Sequence, residues 1–279
     1  MKKLFKNLIT FLSFTFLGCS LFANQYVLFG TVGNGDTGTS TLVILNQNTG
    51  SLEQTIGNIG YIVNGLAYDS TTGTLYATTS IKDLTAPVSL ITIDTETGAG
   101  SVVAPLAPTS GGTVTVTTID STGQLYGWLE PGTDDLVRID KNTGTVFLYP
   151  NSGLGTGGHS LDFNASDILY ILDSGTIYTI STLTGIPANV GTYTPSPNDH
   201  HGKFNPVTQQ FWTISTGGGN NPRSLNIFDI PSGVLINTLP TINYLHTISF
   251  AQITPIEATT NLLRALGKKR LIYQRGLYP

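Results

Sequence analysis

Asp135-Leu-Val-Arg-Ile-Asp-Lys-Asn-Thr-Gly144 decides how this chain folds, because near copies of it recur at long and similar intervals. They are Thr41-Leu-Val-Ile-Leu-Asn-Gln-Asn-Thr-Gly50, Ser89-Leu-Ile-Thr-Ile-Asp-Thr-Glu-Thr-Gly98, Thr176-Ile-Tyr-Thr-Ile-Ser-Thr-Leu-Thr-Gly185 and Ser224-Leu-Asn-Ile-Phe-Asp-Ile-Pro-Ser-Gly233. In each copy apolar residues such as Leu136, Val137 and Ile139 occupy a short segment with the spacing of a strand. A short polar side chain, Asp140 in the first copy, then opens a turn that closes on a glycine free to take positive φ. Strand then turn, five times at a regular period, is the signature of a repeat architecture.

Three more strands per repeat fall into line once the copies are aligned on this turn. One precedes it: Leu28-Phe-Gly-Thr31, Leu75-Tyr-Ala-Thr78, Leu125-Tyr-Gly-Trp128, Leu169-Tyr-Ile-Leu172 and Phe211-Trp-Thr-Ile214. Before that lies a strand ending in an aromatic or branched residue, as in Asn64 to Asp69, Thr115 to Asp120, His159 to Asn164, His200 to Asn205 and His246 to Ala251. After the turn comes a weaker apolar segment such as Ser101-Val-Val-Ala104. Four short strands in a repeat of about 40 to 50 residues describe a propeller blade. The chain enters at Tyr26 with the second strand of a blade, and the matching first strand, His246 to Ala251, stands at the far end. The sequence therefore predicts an all-β fold over residues 24–254, a five-bladed β-propeller of four-stranded blades closed by pairing of its N- and C-terminal strands, which hides two edges. With its Leu-Tyr and Asp-x-x-Thr-Gly motifs, the chain resembles secreted bacterial β-propeller repeat proteins over almost all of its mature length. That resemblance implies the fold and carries no functional residues with it.

Residues 1–23 read as a secretory signal peptide: Met1-Lys-Lys-Leu-Phe-Lys6, an apolar stretch from Leu8 to Leu17, then Gly18, Cys19 and Ser20. The stretch is too short for a transmembrane helix. Cleavage after Ala23 is expected. The competing reading takes Phe16-Leu-Gly-Cys19 as a lipobox, through which Cys19 would anchor the protein to lipid. Cys19 is the only cysteine, so no intramolecular disulfide can form, which fits a periplasmic or extracellular bacterial protein better than a small stapled domain. Beyond the ring, Thr254-Pro-Ile-Glu257 is a capping box with proline at the first helical position, predicting a short helix from Pro255 to Leu266 that Gly267 stops. The segment 255–279 ends in a basic tail with Lys268-Lys-Arg270 and Arg275, read as a solvated helix docked by Leu262, Leu263 and Leu266, or as a handle for a partner or an anionic surface.

Between Gln25 and Thr254 the only basic side chains are Lys82, Arg138, Lys141, Lys203 and Arg223. An acidic body of this kind disfavours nucleic acid and anionic membrane as partners. A monomer that engages a protein or small ligand is expected.

All four histidines, His159, His200, His201 and His246, fall at the start of innermost strands. In the repeat alignment His159, His200 and His246 share one position, with Asn64 and Thr115 completing the ring. The start of the innermost strand lies near the propeller axis, so these side chains are expected to converge at one mouth. Loops opening on that face carry Glu130, Asp134, Asp173, Asn220 and Asn221. Three imidazoles near an axis suit a divalent transition metal such as Zn²⁺, Fe²⁺ or Cu²⁺ with one position open. Carboxylates on the rim would orient the rings or act as a base. Carotenoid-cleaving oxygenases look like a precedent, since they hold iron with histidines at a propeller axis, although with more blades and a fourth histidine. The bland alternative is that these histidines are hydrogen-bonding posts, as the Gly-His pair of Trp-Asp repeats is, and Gly158-His159 superficially matches that pair.

Other motifs point less far. The glycine runs 155–158 and 217–219 lack a P-loop lysine and read as loops, and Trp128 and Trp212 read as blade core rather than as a sugar platform. Asp94, Asp140 and Asp229 are turn residues by their phase. The expectation is an exported binding module without catalysis, recognising a ligand or protein at the histidine-bearing mouth. There His159, His200 and His246 would be the metal ligands if metal is present, and His201, Asp199, Glu130 and Asp173 would contact the ligand. Two alternatives stand beside it: a metal-dependent hydrolase, lyase or oxygenase on the same three histidines, and a passive envelope or adhesion scaffold.

Overall fold

The computed structural model describes residues 25–33, 38–107, 112–130, 135–155, 159–194, 199–215 and 223–253. The signal peptide, the segment 255–279 with its expected helix and basic tail, and Asp134, Asn220 and Asn221 lie outside the described residues. Residues Leu28–Ala251 form one compact unit. No helix among the described residues is long and apolar enough to cross a membrane.

Five antiparallel four-stranded sheets form a five-bladed propeller. Blade 1 runs β20 (Leu245–Ile253), β1 (Gln25–Val32), β2 (Thr41–Leu45), β3 (Leu52–Asn58), so the first and last strands pair and close the ring. Blade 2 is β4 (Val63–Asp69), β5 (Thr74–Thr79), β6 (Ser89–Ile93), β7 (Gly100–Pro105), and blade 3 is β8 (Thr113–Ile119), β9 (Leu125–Glu130), β10 (Asp135–Ile139), β11 (Val146–Leu148). Blade 4 is β12 (Ser160–Phe163), β13 (Leu169–Asp173), β14 (Thr176–Ile180), β15 (Pro187–Thr192), and blade 5 is β16 (Asp199–Phe204), β17 (Phe211–Ser215), β18 (Ser224–Asp229), β19 (Val234–Pro240).

The recurrent motifs acquire physical reasons in this arrangement. Leu28, Leu75, Leu125, Leu169 and Phe211, at equivalent positions in the second strands, are all buried. The aromatic that follows each of the last three meets the aromatic on the first strand of the next blade: Tyr126 with Phe163, Tyr170 with Phe204, and Trp212 with Phe250, at ring centroid distances of 5.4, 5.5 and 5.6 Å. Such tilted and edge-on contacts tie neighbouring blades face to face. The cores accordingly lie between blades; one cluster joins Trp128 and Leu136 of blade 3 to Leu161 and Ile171 of blade 4.

The turn is built as its sequence implies. Asp140 Oδ1 accepts hydrogen bonds from the N–H groups of Asn142 (2.8 Å) and Thr143 (3.2 Å), and Gly144 N–H donates back to Asp140 O (2.9 Å). Asn46 and Asp94 cap their turns identically. Asp229 does not, because Pro231 brings no N–H to the position that Asn142 occupies. The closing glycine answers to two constraints. Gly144 has φ of +71°, and a Cβ there would lie 2.6 Å from Pro105 O at the end of the preceding blade's outer strand. Gly50, Gly98, Gly185 and Gly233 likewise sit against Pro240, Gly57, Tyr149 and Thr192 of the blade before them. The Thr-Gly turn is thus the joint by which each blade seats on its predecessor.

Gly153 separates the two constraints, since its φ is +73° but a Cβ there would meet nothing within 4 Å. Gly153→Ala is expected to cost about 1 kcal/mol through backbone conformation alone. Gly144→Ala should cost about 2 to 3 kcal/mol, because the blades must also part. Urea unfolding midpoints of the two variants check this, and equal losses would mean that the turn does not bear on its neighbour.

Candidate functional site

The site begins with an irregularity in β16. Asp199 pairs with Ser215 and His200 with Ile214, but Lys203 is the next residue in register, opposite Trp212. His201 and Gly202 together stand opposite Thr213, a bulge of one residue. His201 takes φ of +50°, and its N–H crosses to His159 O of the neighbouring blade (3.1 Å). Gly202 is required because a Cβ there would fall 2.2 Å from Phe211 Cε1 and 2.8 Å from Ser160 Cβ. Bulges re-aim side chains, and this one sets the His201 ring between two others.

The ring centroids of His201 lie 4.7 Å from those of both His200 and His246, while His200 and His246 are 6.4 Å apart. One nitrogen from each ring lies within 4.8 Å of the other two, so the three offer a common set of ligand atoms. His201 is buried, and the Nδ1 atoms of His201 and His246 are buried without a hydrogen-bond partner among the described residues. Burial holds the His201 pKa well below its ordinary value, helped by the charges of His200, His246, Lys203 and Arg223. Burial, with His200 and Arg223, brings that of His246 down to about 3. Both rings are therefore neutral near pH 7, each with a lone pair to give.

His159 is placed differently. It is buried one residue before β12, edge-on to Trp128 at 5.1 Å. Its Nε2 lies 3.3 Å from Glu130 Oε1 and its Nδ1 3.7 Å from Asp173 Oδ1. The structure thus brings His200 and His246 together with His201, and brings His159 together with Glu130 and Asp173. The two groups adjoin through the His201 N–H to His159 O bond. The bulge sets His200 and His159 at different levels. In blade 4 Leu172 faces Ser160, whereas in blade 5 the equivalent Ile214 faces His200, so His200 stands level with Ser160 and one residue away from the level of His159. The backbone of Asp199 pairs with Ser215, and its side chain lies outside the described residues. At the other two ring positions, Asn64 Nδ2 donates to Thr113 Oγ1 (3.4 Å), a bond from blade 2 to blade 3, and Thr115 Oγ1 donates to Trp128 O (3.4 Å) within blade 3. Trp128 and Trp212 are buried in the core.

Beneath the histidines sits a buried ion pair that the repeat alignment did not bring out. The Lys203 ammonium donates to Thr117 O of blade 3 and to Leu161 O of blade 4 (3.1 Å), and lies 3.5 Å from Asp162 Oδ1. Asp162 also accepts from the Thr118 hydroxyl and from Phe204 N–H (2.8 Å). One lysine of blade 5 therefore spans three blades, and burial lowers its pKa.

No family model matches this chain, and no curated protein sequence does either. Solved structures are similar in fold. A chain from the crystal structure of a nidogen/laminin complex has a TM-score of 0.54 at 14% identity, covering 81% of this chain and 98% of that one. TolB from Acinetobacter baumannii has a TM-score of 0.50 at 16% identity, covering 77% of this chain and about half, 52%, of that one. At these identities the likeness is one of fold.

Proposed function

We propose that this protein is an exported, noncatalytic binding module that takes its ligand at the mouth formed by His200, His201 and His246. The carrying observation is the pair of buried, unpartnered Nδ1 atoms within one cluster of imidazoles. Buried polar atoms are satisfied in the great majority of proteins, and those that are not point to a missing water, ion or ligand. Glu130 and Asp173, the carboxylates expected from the sequence to handle protons, lie beside His159, 3.3 and 3.7 Å from its ring nitrogens. Export follows from the N-terminal reading of residues 1–23. The nidogen/laminin chain belongs to a complex between proteins, so a protein ligand is as consistent with the fold as a small one.

A ligand-observed NMR screen of small organic acids, sugars and peptides against the untagged protein tests this reading. At least one class should bind, and His200→Ala and His246→Ala should each weaken it about 10-fold or more, a loss of about 1.4 kcal/mol. Binding unchanged in both variants would place the site elsewhere. Turnover of a bound compound that His200→Ala abolishes would show an enzyme rather than a binding module.

A further inference from the structure

We propose that His200, His201 and His246 hold one divalent transition-metal ion, Zn²⁺ in the first instance, with His201 as the central ligand and a coordination position left for the module's ligand. This rests on the reading of the mouth as a binding site and names what the three rings contribute to it.

The set of donors selects the ion. Imidazole nitrogens suit Zn²⁺, Cu²⁺, Ni²⁺ and Fe²⁺, whereas Ca²⁺ and Mg²⁺ need oxygen ligands. Three imidazoles with a fourth position open is a known arrangement for zinc. Two nitrogens on one zinc, with Zn–N bonds of about 2.0 to 2.1 Å, stand about 3.3 Å apart in tetrahedral geometry. The ligand atoms here lie within 4.8 Å of one another. Modest ring rotations therefore close the site, and His200, only partly buried, has room to make one. His201 cannot move as freely, because the bulge, the bond to His159 O and the packing of Gly202 on Phe211 hold its backbone. It acts as the fixed ligand on which the other two close. An ion bound through Nδ1 would also satisfy both buried atoms that lack partners.

The rings packed edge-on provide a competing explanation, since histidines stack without metal. Metal ligation and stacking differ in what they require of the surroundings. Stacking needs no lone pairs and leaves the two Nδ1 atoms orphaned, whereas ligation through Nδ1 would use them. Arg223, whose guanidinium donates to Leu245 O next to His246, adds positive charge near the site. That charge weakens affinity for a cation and favours an anionic group at the open position.

The test is titration of the chelator-treated, untagged protein with Zn²⁺ by calorimetry, and with Co²⁺ by its visible ligand-field bands. One equivalent should bind, Co²⁺ should give the intense bands of a four-coordinate site, and millimolar Mg²⁺ should not compete. His200→Ala and His246→Ala should each weaken Zn²⁺ about 100-fold, while His159→Gln leaves it within about 2-fold. Because His201 is buried and its variant endangers folding, the two flanking histidines carry the test. Absence of one-equivalent binding, or binding unaffected in both flanking variants, overturns the metal. If organic ligands still depend on His200 and His246 in that event, the binding-module reading stands without metal; if neither ion nor ligand depends on them, both readings fall.

Discussion

Replacing Lys203 with methionine is expected to cost about 3 to 5 kcal/mol of folding stability, the largest loss from any single side chain at the channel. The reason is the company its ammonium keeps. It is almost fully buried, donates to the carbonyls of Thr117 and Leu161, and stands 3.5 Å from Asp162 Oδ1. Methionine fills similar volume without the charge, and leaves the Asp162 carboxyl without its lysine and two carbonyls short of a donor. Lys203→Met with Asp162→Asn removes both charges and should recover part of the loss, because a buried pair is costlier to break than to delete. Urea unfolding, followed by the fluorescence of the core residues Trp128 and Trp212, measures both. A loss below about 1 kcal/mol for Lys203→Met would mean that water solvates the ammonium and the lysine does not lock blades 3, 4 and 5.

Acid should destabilise the metal-free protein through the same mouth. His246 has a folded pKa of about 3, and His201 lies well below its ordinary value, mainly through burial. The folded state therefore binds fewer protons than the unfolded chain, so stability rises with pH across the window between the folded values and the unfolded value of about 6.5. Above that value the full stability is present. It falls as pH drops below about 6.5 and continues to fall toward the folded pKa. At pH 5 the penalty from His246 alone comes to about 2 kcal/mol, and His201 adds a loss of the same sign. Among the described residues, the charges that lower the pKa of these rings, from His200, Lys203 and Arg223, are positive, so protonating one makes the next harder and the transition is coupled. Thermal melts at pH 7.5, 6 and 5 should show His246→Gln losing distinctly less stability on acidification than the wild type. Parallel profiles would mean that the His246 ring is solvated in the folded protein.

The parts of this structure legible in the sequence are those that repeat. Copies of Asp-x-x-Thr-Gly located five joints, because a glycine with positive φ pressed on the neighbouring blade leaves no room for a Cβ, and Leu-Tyr located the buried second strands. Closure was legible because the repeat copy at Tyr26 lacks a first strand and the unmatched first-strand copy is His246 to Ala251, and these two strands do share a sheet. The site was only partly legible, because it depends on where a bulge falls: blades 2 and 3 bulge at Asn64 and Thr115, whereas blade 5 bulges one or two residues later. An ungapped alignment matches Phe204 with Phe163 and so sets His200 level with His159. The bulge at His201-Gly202 moves it by one residue and puts His201 into the cluster. A glycine inside a strand beside doubled histidines was the available sign. Lys203 and Asp162 fall at one repeat position, where the other blades carry Ala67, Thr118 and Ser249, and that lone opposite-charge pair was a second sign.

Long-range proton–nitrogen NMR spectra of the histidine rings, recorded at pH 7 before and after one equivalent of Zn²⁺, test most directly whether His200, His201 and His246 act as one site. The ring nitrogens of these three should shift together, with those of His159 unmoved beside Glu130 and Asp173. Rings that do not respond, or a response shared by His159, His200 and His246 while His201 stays still, would contradict it.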